Sequence, residues 1–257
     1  MSLMDVATVA VITGGLFALS VASGMLGLGV AFAAVPFLGF FLPDLVHQVQ
    51  PLSLFLNGVT AMFAAFGFAR SRLVDWRPAL ILTSVAAVMA PVGSWLAQYT
   101  AQNWLWGMYL LAVGYLAWRM FAPSRPAPDS AVEPVAPNLR LAVVLTVPIA
   151  IMAGLLGVGP GFLLMPALIL VGYEPKKAAG ITAVAVTLPS FTALIPHVGT
   201  AQVDLSLAAV LVVAGAAGSF LGARLTSRFV SGRTLKRAFG ILIVVMTAVK
   251  LASTLSA

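Results

Sequence analysis

Ser23 to Pro36 reads S-G-M-L-G-L-G-V-A-F-A-A-V-P, and 130 positions later Ala153 to Pro166 reads A-G-L-L-G-V-G-P-G-F-L-L-M-P. Without a gap, Gly24, Gly27 and Gly29 fall on Gly154, Gly157 and Gly159, Phe32 falls on Phe162, and Pro36 falls on Pro166. Glycines clustered in otherwise unbroken apolar sequence weaken a helix by about 1 kcal/mol each relative to alanine and let the backbone turn. Each copy therefore predicts two helical arms separated by a break.

The surroundings decide what kind of helices these are. Of 257 residues, 61% are hydrophobic and only 8% are charged, and the mean hydropathy is +1.07. Apolar runs follow one another almost end to end, without the period-2 alternation of a barrel strand. In hydrocarbon such a chain satisfies its backbone by helices, so the fold class is an all-α polytopic membrane protein. With no cysteine and two histidines, thiolate chemistry is excluded and a metal site is poorly supplied; no cofactor is expected. The net charge of +7 comes from short loops between spans, which argues against nucleic acid. The run Val6 to Ala22 lacks a basic leader and carries Asp5, so it reads as part of the mature protein.

Along the chain the pattern predicts arms at Met4 to Ala22 and Val30 to Leu42 and a turn at Pro43-Asp44. Helices then follow at Val46 to Ala69, from Asp75 as N-cap to Gln98, and at Trp104 to Phe121. Residues 122–138, with five prolines, read as an extended linker. The second half repeats the order, with arms at Leu139 to Ala153 and Phe162 to Val171 and a helix at Lys177 to Pro196. Val203-Asp204 answers Val74-Asp75, Gly218-Ser219 is matched to Gly93-Ser94, and the last helix is Ala238 to Leu255. This divides the protein into a first transmembrane repeat at 1–121, a linker at 122–138 and a second repeat at 139–257.

With the Arg70, Arg72 and Arg77 loop inside and the spans alternating, all but Lys250 of the 14 Lys and Arg residues lie on the cytoplasmic side. That assignment requires each glycine-broken hairpin to return to the side it entered from. It also makes the halves inverted repeats, each a hairpin followed by three transmembrane helices. Inverted repeats with interrupted helices point to a secondary transporter whose substrate binds at the repeat interface. An arm that begins within the membrane presents unpaired N–H groups and a partial positive charge, which suit an anion. The candidate binding residues are therefore Gly27, Gly29, Gly157, Gly159 and Gly161 of the breaks. Ser53 and Asn57 of the helix after the first hairpin join them, with Thr182 and Thr187 after the second. Small residues also serve close helix packing, and hydroxyls are often absorbed by the preceding turn. Asn57 is harder to absorb, because its amide needs several partners. Asp75 and Asp204 read as helix caps, His47 and His197 as interfacial residues at helix ends, and the tryptophans as interfacial anchors.

The duplicated G-x-x-G-x-G-x-x-x-x-x-x-P, the V-D before the next helix and the late Gly-Ser pattern resemble the sulfite exporter TauE/SafE family over nearly the whole chain. The resemblance implies export of sulfite or an organosulfonate such as sulfoacetate across the bacterial cytoplasmic membrane. The motif residues carried over are Gly24, Gly27, Gly29 and Pro36, and Gly154, Gly157, Gly159 and Pro166, with Ser53 and Thr182 as the small polar residues after each hairpin. Two departures set the halves apart: Val30-Ala31 in the first hairpin, and Pro160 in the second. A membrane enzyme would need a nucleophile and base at depth. A cation carrier would need a carboxylate in the pathway, and all seven acids sit in loops or at helix ends. The partners expected are a small anion and the lipid bilayer, with monomer and homodimer both open; the energy source expected is the membrane potential.

Overall fold

A computed structural model describes residues 6–105, 107, 108, 111, 137–231 and 234. Its helices are α1 (Val6–Leu26), α2 (Ala31–Leu38), α3 (Gln50–Arg70), α4 (Trp76–Ala97), α5 (Leu139–Leu156), α6 (Gly161–Leu170), α7 (Pro175–Leu194) and α8 (Leu205–Phe229). A π-helical turn, Leu45–Val49, leads into α3, and a 3-10 turn, Ile195–His197, closes α7. Six of these segments are long and apolar enough to cross a membrane: α1, α3 with its π turn, α4, α5, α7 with its 3-10 turn, and α8. The short α2 and α6 have 8 and 10 residues, so at 1.5 Å per residue they reach about 12 and 15 Å, half a bilayer core. The start of the expected helix at Trp104 to Phe121 is described, and residues 102–105, 107, 108 and 111 are helical; the rest of it, the expected helix at Ala238 to Leu255 and most of the linker lie outside the described residues.

Local sequence sets most boundaries. Asn138 caps α5 by accepting from the N–H of Leu141. Asp204 caps α8 by accepting from Ser206 and Leu207. Asp44 caps the π turn by accepting from Val46 and His47. Several boundaries differ from the sequence reading: α2 stops at Leu38 rather than Leu42 and α5 runs past Ala153 to Leu156. Helix α1 continues past Ala22 to Leu26, because Gly24 sits inside it against a neighbouring backbone and only Gly27 turns the chain. Asp75 stands at the N-cap position of α4 but its side chain makes no cap; it reaches Lys177 Nζ at 3.6 Å instead.

Packing joins the halves along their length. Helix α1 lies on α8, where a methyl group added at Gly24 would collide with the Ser219 carbonyl and one at Gly222 with the Val21 carbonyl. In the same way α4 lies on α5, with Gly93 against the Ile151 carbonyl and Gly154 against that of Ala90. Small residues let backbones approach without side chains between them, which is how helices gain contact where lipid offers no hydrophobic drive. These contacts correct the sequence register: Gly222 meets Val21 as Gly93 meets Ile151, so Gly93 corresponds to Gly222 and not to Gly218. Helix α3 packs on both α7 and α8, and α4 packs on α7, so the middle of the protein belongs to both halves. Trp76, Trp95 and Trp104 are exposed at helix ends, as interfacial anchors are.

Candidate functional site

The two breaks have the same backbone. Gly27 and Gly29 have φ of +68° and +70°, and Gly157 and Gly159 have +68° and +69°. These left-handed values are costly for any residue with a Cβ, which explains why the same two glycines of each motif recur. Each break leads straight into a short helix, and the two helices meet at their first turns. Phe32, second in α2, and Phe162, second in α6, stack with ring centroids 5.7 Å apart and an interplanar angle of 13°. Both rings are fully buried. The expected approach of two helix N-termini within the protein is thus observed, with a closed aromatic pair between them.

Around this pair, α3 supplies most of the polar contacts. Asn57 Oδ1 accepts from the N–H of Ala31 at 2.8 Å, and Asn57 Nδ2 donates to Ser190 Oγ of α7 at 2.8 Å. Thr60 Oγ1 accepts from the N–H of Val30 at 3.1 Å and donates to its own helix at the Leu56 carbonyl. The first turn of α2 is therefore capped by α3. Asn57 fits so closely that a Cβ on Gly29 would strike Oδ1 and one on Gly159 would strike Nδ2. Gln50, one stripe earlier on α3, packs on Gly157 and donates from Nε2 to the Leu155 carbonyl at 3.2 Å.

The remaining expected site residues divide into two groups. Ser53 Oγ and Thr182 Oγ1 are completely buried and have no hydrogen-bond partner among the described residues, as does Gln50 Oε1. A buried hydroxyl left unpaired costs about 1–3 kcal/mol, and Ser20 Oγ, Ser23 Oγ, Gln48 Oε1 and both ring nitrogens of His197 are unpaired in the same way. Thr187, by contrast, donates to the Ala183 carbonyl at 2.9 Å and is absorbed by its own helix. Gly161 packs on the Leu28 carbonyl of the first break, which holds the two hairpin tips together. Sequence reasoning placed Thr60 on the face of Ser53 and Asn57, and Ser190 beyond Thr182, but missed Gln50. The i, i+3, i+7, i+10 series Gln50, Ser53, Asn57, Thr60 on one helix face was the signal that could have found it.

His47 and His197 were expected at helix ends. His47 is half-buried beside Asp44, Nδ1 to Oδ2 2.8 Å, whereas His197 is fully buried, not interfacial. Burial pushes the Asp44 carboxyl up, but hydrogen bonds from the His47 and Val46 backbone and from the His47 ring outweigh it and hold the pKa below the ordinary value. Among the described residues, every fully buried polar side chain is a neutral type, apart from His197, and none is Asp, Glu, Lys or Arg.

The sulfite exporter TauE/SafE family model matches residues 11–250. The chain belongs to this family. It is 29% identical over 245 residues, 90% of each chain, to a probable membrane transporter protein of Xylella fastidiosa. It is 25% identical over 239 residues, 83% of this chain and 86% of the relative, to one of Bacillus subtilis. It is 23% identical over 191 residues, 70% of this chain and 69% of the relative, to one of Methanocaldococcus jannaschii. No solved structure matches the chain significantly. As a TauE/SafE member with six segments among its described residues long and apolar enough to cross a membrane, it is a multi-pass membrane protein, in keeping with the cell membrane, and its family and the names of its relatives indicate a transporter rather than an enzyme.

Proposed function

We propose that this permease exports a small sulfur-containing anion, sulfite or an organosulfonate such as sulfoacetate, with the membrane potential as driving force. The observation that carries the reading is the meeting of two membrane-depth helix N-termini at Phe32 and Phe162, in a core whose described residues bury no carboxylate. Helix N-termini favour negative charge, and a cation pathway without an acid would be unusual. The halves, 1–121 and 139–257, act as inverted repeats about this centre. Support comes from helix directions: Thr60 of α3 lies by Gly215 and Ser219 of α8, and Gly67 by Phe220 and Ala223, so α3 and α8 run the same way. Consecutive spans α7 and α8, joined by residues 198–204, run oppositely, which leaves α3 and its counterpart α7 opposed.

Proteoliposomes loaded with sulfite or sulfoacetate test the function. An imposed potassium-diffusion potential, negative inside and without a pH gradient, should drive efflux, since about 2.3 kcal/mol acts per charge per 100 mV. Efflux that ignores the potential and follows only a pH gradient would overturn the driving force; no flux of either anion would overturn the cargo. Cysteines at Ser130 and Thr200 should label from opposite faces, Thr200 from outside.

A further inference from the structure

The two breaks share a backbone but not their surroundings. At the first, the N–H groups of Val30 and Ala31 are taken by Thr60 and Asn57. At the second, Pro160 stands where Val30 does and has no N–H to give. The α7 residues in register with Asn57 and Thr60 are Val186 and Pro189, judged from Ala179 meeting Gly27 as Gln50 meets Gly157. Neither can accept a hydrogen bond from its side chain, and no side chain among the described residues accepts from the N–H of Gly161. Three replacements thus agree: one end is capped by the protein, and the other is left for something else.

Polar side chains without partners lie beside that open end. Gln50 touches Gly157 and Asn57 touches Gly159, so Ser53, on the α3 face between them, stands against the second break. Its hydroxyl is fully buried and unpaired, and so is the Oε1 acceptor of Gln50. The position matching Gln50 at the first break is Ala179, which offers nothing; the one matching Ser53 is Thr182, whose hydroxyl is also buried and unpaired, but there the N–H groups of Val30 and Ala31 are already taken.

We infer that the second hairpin alone holds the transported anion, through the open first turn of α6 and the Ser53 hydroxyl as donors, and that Gln50 Oε1 accepts from an oxyanion that carries a proton. The inference rests on the anion-permease reading and commits it to one hairpin and one charge state, which keeps hydrogen sulfite and drops sulfoacetate, a dianion near neutral pH, from the cargo. Charge supports the same choice. No buried cationic side chain is available among the described residues to offset a second negative charge, and the cost of moving an ion out of water grows steeply with its charge. A dianion would also meet the Gln50 carbonyl without a proton to share. Hydrogen sulfite satisfies every group; sulfate, which has no proton near neutral pH, does not. The first hairpin becomes the fixed abutment against which the second is held.

Binding of sulfite, sulfate and methanesulfonate to the purified full-length protein in nanodiscs, measured by calorimetry across neutral pH, tests this. Wild type should bind sulfite more tightly as pH falls, sulfate at least tenfold more weakly, and methanesulfonate, a monoanion without a proton, in between and without pH dependence. Ser53→Ala should weaken sulfite at least tenfold, with Ser53→Thr restoring most of the loss, whereas Thr182→Ala should change it less than threefold. Gln50→Ala should weaken sulfite and bring it level with methanesulfonate. Equal losses in Ser53→Ala and Thr182→Ala would overturn the one-sided site, and sulfate as tight as sulfite at every pH would overturn the proton-bearing ligand. Failure of the wild type to bind any of the three anions would overturn instead the anion reading beneath both. A Ser53→Ala protein that is not monodisperse is replaced by Ser53→Cys, for which the same tenfold loss is expected.

Discussion

The two ends of the helix bundle use the same Val-Asp sequence and close differently. At the end carrying Arg70 and Arg72, the loop before α4 lies on the start of α7. The Leu73 carbonyl sits against Gly180, Val74 is buried, and Asp75 pairs with Lys177. Tyr173 is buried beside them, and its hydroxyl pKa is raised by burial and then by the Asp75 charge. At the end carrying the histidines, the loop before α8 lies on the start of α3. There the bonds that join one segment to another are neutral: the N–H of Gln202 donates to the His47 carbonyl at 2.7 Å, Gln98 Nε2 donates to the Pro196 carbonyl, and the N–H of Leu45 donates to Gln102 Oε1 at 3.4 Å. Space remains between them. One cavity of about 170 Å³ is lined by Gln48, Gln202, Val203 and Asp204 among others. An open pocket of about 460 Å³ lies among Asp44, His47, Gln98, Thr100 and Gln102. The register explains the difference, since Lys177 is answered by Gln48, which cannot pair with Asp204 as a cation. Among the described residues the basic end is joined by an ion pair and a backbone contact while the histidine end leaves space, an asymmetry that suits a transporter if one end is to open before the other.

The comparison breaks most visibly at Gly180. Any Cβ there would collide with the Leu73 carbonyl, so Gly180→Ala should force the loop off α7. We expect a loss of about 1–3 kcal/mol, the usual cost of overpacking a tight contact, measured by thermal unfolding in detergent. An unchanged midpoint would mean that the loop is not held there.

Labelling sharpens the comparison next. A cysteine at Val203, partly exposed, should react with a membrane-impermeant maleimide several-fold faster than one at Val74, which is buried. Adding Lys177→Ala should raise the Val74→Cys rate toward that of Val203→Cys. The ion pair itself is about half exposed and worth under about 1 kcal/mol to overall stability, so the effect expected is on local opening rather than on unfolding. Equal rates in the unmodified background would erase the distinction between the ends.

What the sequence revealed, and what it hid, follows from the range of the interactions. The breaks were legible because glycine's left-handed freedom is a local property and was written twice. The cap at Asp204 was legible for the same reason. Asp75 was not, because its fate depends on Lys177, over a hundred residues away, while its neighbours are nearly those of Asp204. The central site was half legible. Ser53, Asn57 and Thr182 stood out as polar residues at depth, but nothing local says that Asn57 would be used up by Ala31 and Ser190 while Ser53 stayed free. The match of Gly218 to Gly93 failed because small residues recur every few positions along α8, and only contact with α1 fixes which one is equivalent.

Acid titration probes the histidine end with a smaller effect. The carboxyl of Asp44 has a pKa lowered by its bonds to His47 and Val46, so the unfolded state binds its proton first as pH falls. The stability it contributes is present above the unfolded value and is lost as pH drops through the folded one. Asp44→Asn should therefore lower the unfolding midpoint at neutral pH, by the equivalent of about 0.5–1 kcal/mol for a cap and its partner. The gap to wild type should close as the pH falls below that of ordinary carboxylates. A gap that persists in acid would mean that the charge is not what holds the π turn.

The smallest effect separates an ion pair from a cap. Asp204 accepts from the N–H groups of Ser206 at 2.8 Å and Leu207 at 3.2 Å, and its carboxyl is lowered by those bonds, Leu207 foremost. Asp75 makes no cap, and its described partner is the Lys177 ammonium. A cap is a short-range hydrogen bond that dissolved salt barely touches. An ion pair between half-exposed groups is screened once the Debye length, about 3 Å at 1 M, falls below the separation of the charges. Asp75→Ala should thus shift the unfolding midpoint slightly in low salt and not at all in 1 M potassium chloride. Asn138→Ala, which removes the neutral cap of α5, should give a small shift that is the same in both. If the Asp75 effect survives high salt, the basic end is held by something other than charge, and the contrast with the histidine end must be sought in the backbone contact of Leu73 with Gly180 alone.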